Sequence, residues 1–568
     1  MRSTAVKNIL RHFPGKLILM AIAASILLVN QAAAQNSPPV VGSSNTVTAD
    51  PLVPRPTTTP CIVPLFTNYV FDNFNSQTFT YTPPAACPGP WQEVVFTADF
   101  NVTAGIQFDR TAAIYLGHAN IYYGTTAEPS PSLAPSWHVE QNLTDYSLLF
   151  QTAQTGEVDL GNLVNSTYTG IIYGSASVEL YPVEPGVLHV TIPEGVFPMP
   201  NAPGGAQALN TSTDQLSETF TLPTNIERAY LDVIAQSQSN DEFWYTCAPN
   251  DVAAELDDCG NTAFRETEVS IDGTPAGVAP VYPWIYTGGF DPFLWFPIPG
   301  VQTLNFVPYR VDLTPFAGVL SNGQPHTIAV SVYNADSYFL ATASLLVYLD
   351  HGSTQVTGEV TQNTITSAPD PTVTENLQTD PEGDVTGSVT VASNRQFTVA
   401  GFVNTSEGTI STQVVQNVNF ANTQNYTINA SAYDEDLNQS TTVDSTTTMK
   451  DGSTVLTTNE HFNYPLKVFY NENVQANGDI TIATSIRQAL DETETRKGTT
   501  GTTFEALLNN QVQSQDTLLF DPSFNFLGNS GAQSSQTFTA SNSLGYSYNC
   551  TLTSAENVLT AVQGDCGN

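Results

Sequence analysis

The sequence predicts an all-β chain: tandem β-sandwiches followed by a β-rich C-terminal region. Three observations carry this. Short apolar alternations recur at Gln92–Phe100, Thr111–Leu116, Ser175–Tyr181 and His326–Tyr333, rich in Val, Ile, Thr, Tyr and Phe, which is the pattern of half-buried strands. Gly, Pro, Asn and Asp punctuate them as turns. Helical spacing is confined to two short runs, Ile486–Thr493 and Thr503–Gln511. A chain of 568 residues suggests two or three domains.

The elements follow in order. Residues 1–34 read as a secretory signal peptide. Arg2, Lys7, Arg11 and Lys16 form a basic start, Leu17–Val29 is apolar except for Ser25, and Ala32-Ala33-Ala34 supplies a small-residue cleavage site. The apolar run is short for a membrane span, so no stable anchor is expected after cleavage and the mature chain is expected to be secreted or periplasmic. Residues 35–60, rich in Pro, Thr and Ser, read as a flexible linker. A Pro/Gly-rich stretch at 184–208 divides a first sandwich, 61–200, from a second, 201–350. Residues 351–384, with Ala368-Pro369-Asp370-Pro371 and Asp380-Pro381-Glu382-Gly383, read as a linker before a Thr/Ser/Asn/Gln-rich β-domain at 385–568.

Charge narrows the function. There are 15 Lys and Arg against 53 Asp and Glu, a net charge of −38, yet only 12% of residues are charged. The chain is short of cations rather than highly charged. This excludes a phosphate-tracking nucleic-acid binder and disfavours an anionic membrane surface. Loss of residues 1–34 leaves 11 bases, of which three are Lys. The six cysteines fall in close pairs, Cys61/Cys87, Cys247/Cys259 and Cys550/Cys566, with no zinc-site spacing. In an exported chain they read as three local disulfides.

Many chemistries leave no trace. There is no Gly-x-Ser-x-Gly elbow, phosphate loop, His-Glu-x-x-His or dinucleotide fingerprint. Asp434-x-Asp436-x-Asn438 begins like a calcium loop, but Gln439 stands where Gly is required and no Glu closes it, so it reads as a solvated acidic turn. His118 and His138 have no paired ligand spacing.

What remains is carboxylates set among aromatics. Between residues 101 and 350 the only cations are Arg110, Arg228, Arg265 and Arg310. Two lie in Phe108-Asp109-Arg110 and Phe264-Arg265-Glu266; a third acidic-aromatic cluster is Asn240-Asp241-Glu242-Phe243-Trp244-Tyr245. Aromatic faces stack on sugars, and acids accept hydroxyl hydrogen bonds or move protons when burial separates their pKa values. The same patterns also serve as plain ion pairs and core.

Several ordered motifs resemble the peptide:N-glycanase A family of acidic glycoamidases. They are Gln107–Arg110 with Ile114–Gly117, Thr126–Pro129, Trp137–Glu140, Leu160–Leu163 with Tyr168–Gly170, Asn240–Tyr245, Phe264–Glu266, Tyr286–Gly289 and Val311–Phe316. Beyond residue 350 the likeness is looser, mainly in Gln396–Asn404. More distant bacterial glycoamidases have two eight-stranded jelly rolls with the site at their interface. The resemblance therefore implies two tandem jelly-roll-like β-sandwich domains followed by a β-rich C-terminal region. The bacterial catalytic Asp lies in Trp-Asp-Arg, similar to Phe108-Asp109-Arg110, so Asp109 is expected to activate the nucleophile, with Arg110 beside it. Their second acid stands three residues before a Phe-Arg pair, where this chain has Asn261. The second acid is accordingly assigned to Glu242, with Glu266 as its rival. Arg110, Glu128, Trp137, Asp241, Trp244 and Arg265 are expected to contact substrate.

The implied activity is hydrolysis of the amide between the innermost N-acetylglucosamine of an N-glycan and its asparagine, in mild acid, on N-glycosylated peptides and glycoproteins. No metal or organic cofactor is implied, and a monomer is expected. A carboxylate-pair endoglycosidase and a non-catalytic glycan-binding surface protein are the alternatives. Nine Asn-x-Ser/Thr sequons, from Asn101 to Asn549, decide nothing between them.

Overall fold

The computed structural model describes residues 38–184, 191–499 and 501–567; the expected signal peptide lies outside them. The first sandwich comprises β1 (Cys61–Phe71), β2 (Gln77–Tyr81), β3 (Trp91–Val102), β4 (Thr111–Leu116), β5 (Ala119–Thr125), β6 (Ser136–Asn142), β7 (Gln154–Asp159) and β8 (Ile172–Pro182). Its sheets run β1-β8-β3-β6 and β2-β7-β4-β5. Four successive antiparallel pairs, β1·β8, β2·β7, β3·β6 and β4·β5, wrap as one ribbon, which is the jelly-roll topology.

The second sandwich repeats the order. It comprises β9 (Gly195–Met199), β10 (Gln207–Thr211), β11 (Leu216–Phe220), β12 (Ile226–Ser237), β13 (Glu266–Ile271), β14 (Thr274–Pro280), β15 (Tyr309–Asp312), β16 (His326–Tyr333) and β17 (Asp336–Leu349), with a single helical turn, α1 (Ala317–Leu320). Its sheets run β10-β17-β12-β15 and β11-β16-β13-β14, and β9 extends the pairing along β17.

The third unit is a broad antiparallel sheet. Its strands are β18 (Thr357–Asn363), β19 (Thr372–Thr379), β20 (Val385–Thr405), β21 (Gly408–Ile428), β22 (Ala432–Asp451), β23 (Thr454–Val474), β24 (Ile480–Gly498), β25 (Gly501–Phe520), β26 (Phe526–Asn542), β27 (Ser547–Ala555) and β28 (Val558–Gly564). From β20 to β28 each strand pairs with the next, while β18 and β19 both line the outer edge of β20. The stretch 351–384, read as a linker, thus carries two paired strands. The two runs with helical spacing lie inside β24 and β25, where alternate residues such as Ile486, Gln488 and Leu490 point inward. Pairing on both edges of each strand overrides a helical pattern of eight or nine residues. Asp434–Asn438 lies within β22 and is neither a calcium loop nor a turn.

Smaller apolar clusters lie under β24 and β25 (Ile480, Ile482, Leu518, Phe520) and under β26 to β28, where Ala49 and Ile298 join them, but most of this sheet's inward face is covered by the second sandwich. Val399, Phe420, Leu437, Leu466, Ile486 and Val512 join one apolar core with Trp244, Phe264 and Trp284 of the second sandwich. The first sandwich holds a separate core around Phe96, Phe100, Tyr122 and Trp137. Residues 38–60, expected to be a flexible linker, pack as a strap. The Ala49 N–H donates to Gln536 Oε1 at 2.6 Å, Asn45 pairs with Ser136, and Arg55 reaches Glu140 and Glu179. All three local disulfides are formed, Cys61–Cys87, Cys247–Cys259 and Cys550–Cys566, which suits an oxidising environment. Among the described residues no helix is long and apolar enough to cross a membrane.

Candidate active site

The two sandwiches meet along the loop that precedes β4, the segment that follows β5, the turn after β12 and the long β14–β15 connection. Gln107 fastens the first of these. Its amide donates to the carbonyls of Leu163 (3.0 Å) and Gly170 (3.1 Å), and its Oε1 accepts from Arg110 Nη2 at 2.6 Å. Asn162 holds the same Gly170 carbonyl. Motifs distant in sequence therefore converge on one loop and fix Asp109 at its tip. The Arg110 N–H donates to Thr126 Oγ1 (2.9 Å), which brings in the segment carrying Glu128.

Glu128 Oε1 accepts the N–H of Asp109 at 3.0 Å. From the second sandwich, the N–H of Gly288 donates to Asp109 Oδ2 at 3.1 Å. Gly288 has no room for a side chain. A Cβ there would stand 3.1 Å from the Glu128 carboxyl carbon, closer still to Oε1, and 3.7 Å from Asp109 Oδ1. Glycine is the only residue that lets this backbone meet both acids. Thr287 Oγ1 donates to the Thr126 carbonyl at 2.8 Å, stapling the β14–β15 connection to the first sandwich.

Glu242 completes the group from the turn after β12. Its neighbour Asp241 is fully buried, and its Oδ1 takes Arg265 Nη2 at 2.8 Å and Nε at 2.9 Å. The Asp336 N–H donates to Asp241 Oδ2 at 2.6 Å. This anchor turns Asp241 inward and leaves Glu242 only partly covered, beside Asp109 and Tyr338. The C-terminal sheet braces the same turn: Asn422 Nδ2 and Gln424 Nε2 both donate to the Tyr245 carbonyl, at 2.8 and 3.1 Å. It also braces the β14–β15 connection, through Gln488 Nε2 to the Pro283 carbonyl (2.7 Å) and Val301 N–H to Gln488 Oε1 (2.9 Å).

Three carboxyls thus lie close together, with the Arg110 guanidinium near Asp109 and Glu128. Burial pushes Asp109 up to about 6, opposed by the Gly288 N–H and the Arg110 charge. Burial and then the Asp109 charge push Glu242 up to about 8. Burial and the Asp109 charge raise Glu128 well above the ordinary carboxylate range. Asp109 therefore ionises first, and its charge holds protons on the other two. The arrangement supplies a base and proton-bearing acids at the same pH.

Other expected site residues lie elsewhere. Glu266, at the start of β13, is buried and ion-paired with Arg395 of β20, which also reaches Glu268 at 3.1 Å. It belongs to the junction with the C-terminal sheet. Asp241 and Arg265, expected to bind substrate, have side chains 0% and 1% exposed and are positioning residues. Trp137 stacks on Phe100 at 5.5 Å, and Trp244 lies among Tyr245 and Phe420; both are core, and neither offers a face to a sugar. Phe100 is the cross-strand partner of Trp137, and Trp244 packs beneath Phe420 of the C-terminal sheet. Gly288, Gln107 and Tyr338 were given no role in sequence, although Gln107 opens the Gln107–Arg110 motif and Gly288 lies in the Tyr286–Gly289 motif.

A family model described as peptide N-acetyl-beta-D-glucosaminyl asparaginase amidase A matches residues 51–366, and one described as the PNGase_A C-terminal domain matches residues 388–466. Peptide-N4-(N-acetyl-beta-glucosaminyl)asparagine amidase A of Prunus dulcis is 31% identical over 361 residues, 60% of this chain and 62% of that protein. The chain thus spans less than two thirds of that relative's length. The solved structure of PNGF-II in its C2 form is 13% identical, with a TM-score of 0.38, covering 52% of this chain and 66% of that one. PNGase F, a glycosylasparaginase from Flavobacterium meningosepticum, is 13% identical, with a TM-score of 0.34, covering 51% of this chain and 96% of its own. With more than half of its residues matched by that family's model, the chain belongs to the peptide N-acetyl-beta-D-glucosaminyl asparaginase amidase A family.

Proposed function

We propose that the protein is a glycoamidase. It hydrolyses the amide between the innermost N-acetylglucosamine of an N-glycan and its asparagine, releasing the glycan and leaving aspartate in the peptide. The observation that supports this reading is the group of three carboxyls gathered about Asp109, which takes the Gly288 N–H and has the lowest pKa of the three. In this reading the Asp109 carboxylate takes a proton from water as its oxygen bonds to the amide carbonyl carbon. The C–N bond then breaks, and the leaving glycosylamine nitrogen gains a proton from Glu242. The products are an aspartyl peptide and a 1-amino-glycan, which a second water converts to the free glycan and ammonia. Arg110 balances the carboxylate charge, and Glu128 orients Asp109 through its N–H.

We infer further that residues 1–34 are removed on export and that the mature chain works as a monomer, secreted or periplasmic, on N-glycosylated peptides and glycoproteins. Its boundaries would be those of the two sandwiches and the C-terminal sheet. The test is a glycopeptide incubated in heavy-oxygen water. Label in a new aspartate is expected, and Asp109→Asn should lower the rate by on the order of 10³-fold or more. A sugar retained on asparagine would mean an endoglycosidase, and wild-type release by Asp109→Asn would refute the mechanism.

A further inference from the structure

The outer face of the C-terminal sheet carries a concavity of about 640 Å³, across strands β22 to β27 and away from Asp109. Most side chains on it are Ser, Thr, Asn and Gln. Two are cations: Lys467 of β23 and Arg487 of β24, both exposed, stand directly opposite one another in the antiparallel register. Like charges so placed destabilise a sheet. No carboxylate forms an ion pair with either one among the described residues, and Arg487 is held only by Gln513 Oε1, at 2.9 Å from its Nη2. Only 11 of the chain's cations lie beyond residue 34, against 53 acids, so two placed face to face with no ion-pair partner form a local spot that attracts anions on an otherwise acidic chain.

The neighbours identify the kind of anion. Phe469, one ladder row along on the same face, is 43% exposed and offers a ring to solvent. Gln513 and Gln515 of β25 line the same concavity with amide donors and acceptors, and Asp436, paired in register with Phe469, supplies a hydroxyl acceptor. A ring face, amides and a cation pair fit a sugar chain bearing carboxylates. The volume lies within the range of small-ligand sites, roughly 300–1,000 Å³. The strongly negative remainder of the chain repels extended polyanions and anionic membranes. We infer that this face is a second carbohydrate site, binding a short acidic oligosaccharide with its carboxylate between Lys467 and Arg487. The inference is independent of the reaction assigned to Asp109.

Calorimetric titration of the mature chain with a galacturonic acid trimer, and with the neutral galactose trimer, tests it. The acidic trimer carries no glycosylated asparagine and so bypasses the amidase reaction. Affinity for it is expected to exceed that for the neutral sugar by tenfold or more and to fall with salt. Lys467→Gln and Arg487→Gln should each weaken it about tenfold, and Phe469→Ala should weaken it as well; Asp109→Asn should not change it. Lys467, Arg487 and Phe469 are exposed side chains, and circular dichroism checks that the sheet is intact. Equal affinity for the two trimers, no binding, or unchanged affinity in the cation variants would overturn the inference. So would anionic phospholipid vesicles, or a second copy of the chain, being captured through Lys467 and Arg487 when the acidic trimer is not.

Discussion

Gly288→Ala probes the site through a single methyl group. The Gly288 backbone does not need the left-handed region, so alanine meets no conformational penalty there. The conflict is steric. The new Cβ would stand 3.1 Å from the Glu128 carboxyl carbon, against an ordinary carbon–carbon contact of about 3.5–4.0 Å. Glu128 must retreat by roughly half an ångström at its carbon and more at Oε1, the atom that accepts the Asp109 N–H. Displacing a reacting group by about 1 Å costs on the order of 10²-fold in rate. The expected loss in kcat/KM is therefore roughly 10- to 100-fold, about 1.4–2.7 kcal/mol. Thermal unfolding should shift little, because a partly exposed loop position falls outside the strongly destabilising classes. The assay is glycopeptide turnover beside a melting curve. In a Glu128→Ala background the same methyl group has space, so the two losses should not add. Activity within threefold of wild type in Gly288→Ala, or full additivity with Glu128→Ala, would refute the placement of Glu128 against Asp109.

Three further outcomes are expected. The profile of kcat/KM against pH should be bell-shaped: activity rises as Asp109 loses its proton, near about 6, and falls as Glu242 loses its own, near about 8. The maximum then sits at about pH 7 or below, and Glu242→Gln should remove the alkaline limb; a limb that survives would move the acid role to Glu128. Folding stability should be greater at pH 5 than at pH 8. Burial raises Glu460, Glu472 and Glu492 to about 7, so their folded forms hold protons the unfolded chain has released, and that stability is lost as pH rises through 7. For the best buried, Glu472, the contribution is at most about 3 kcal/mol. Glu140 and Asp350, held near about 2, do not titrate in that window. A higher denaturant midpoint at pH 8 would contradict this. Finally, Glu266→Gln should destabilise the fold by about 1–3 kcal/mol, because it leaves buried Arg395 with Glu268 alone, while kcat stays unchanged. A kcat loss matching that of Glu242→Gln would reverse the assignment of the second acid.

The two acids show where a sequence stops being legible. Glu242 adjoins Phe243 and Glu266 stands two residues after Phe264, both in a cation-poor region, and nothing local says which of them faces the site. Arg395, 129 residues further on, claims Glu266, and the Asp241–Arg265 pair turns Glu242 the other way. Trp137 and Trp244 are similar cases, since residue type says that a ring is present but not which way it faces. By contrast, Phe108-Asp109-Arg110 stood out because the chain has so few arginines, and the structure puts Asp109 among the clustered acids.

The sequence by itself determined what depends on neighbours along the chain. This includes the two-residue period of the strands, the closure of cysteine pairs 12 to 26 residues apart, and the shortage of cations. Strand alternation needs only a buried and a wet face, whatever covers the buried one. The tertiary structure decided which carboxyls share a desolvated space. Their pKa values follow from that meeting: removal from water and a neighbouring charge act over a few ångströms in space, across more than a hundred residues of chain.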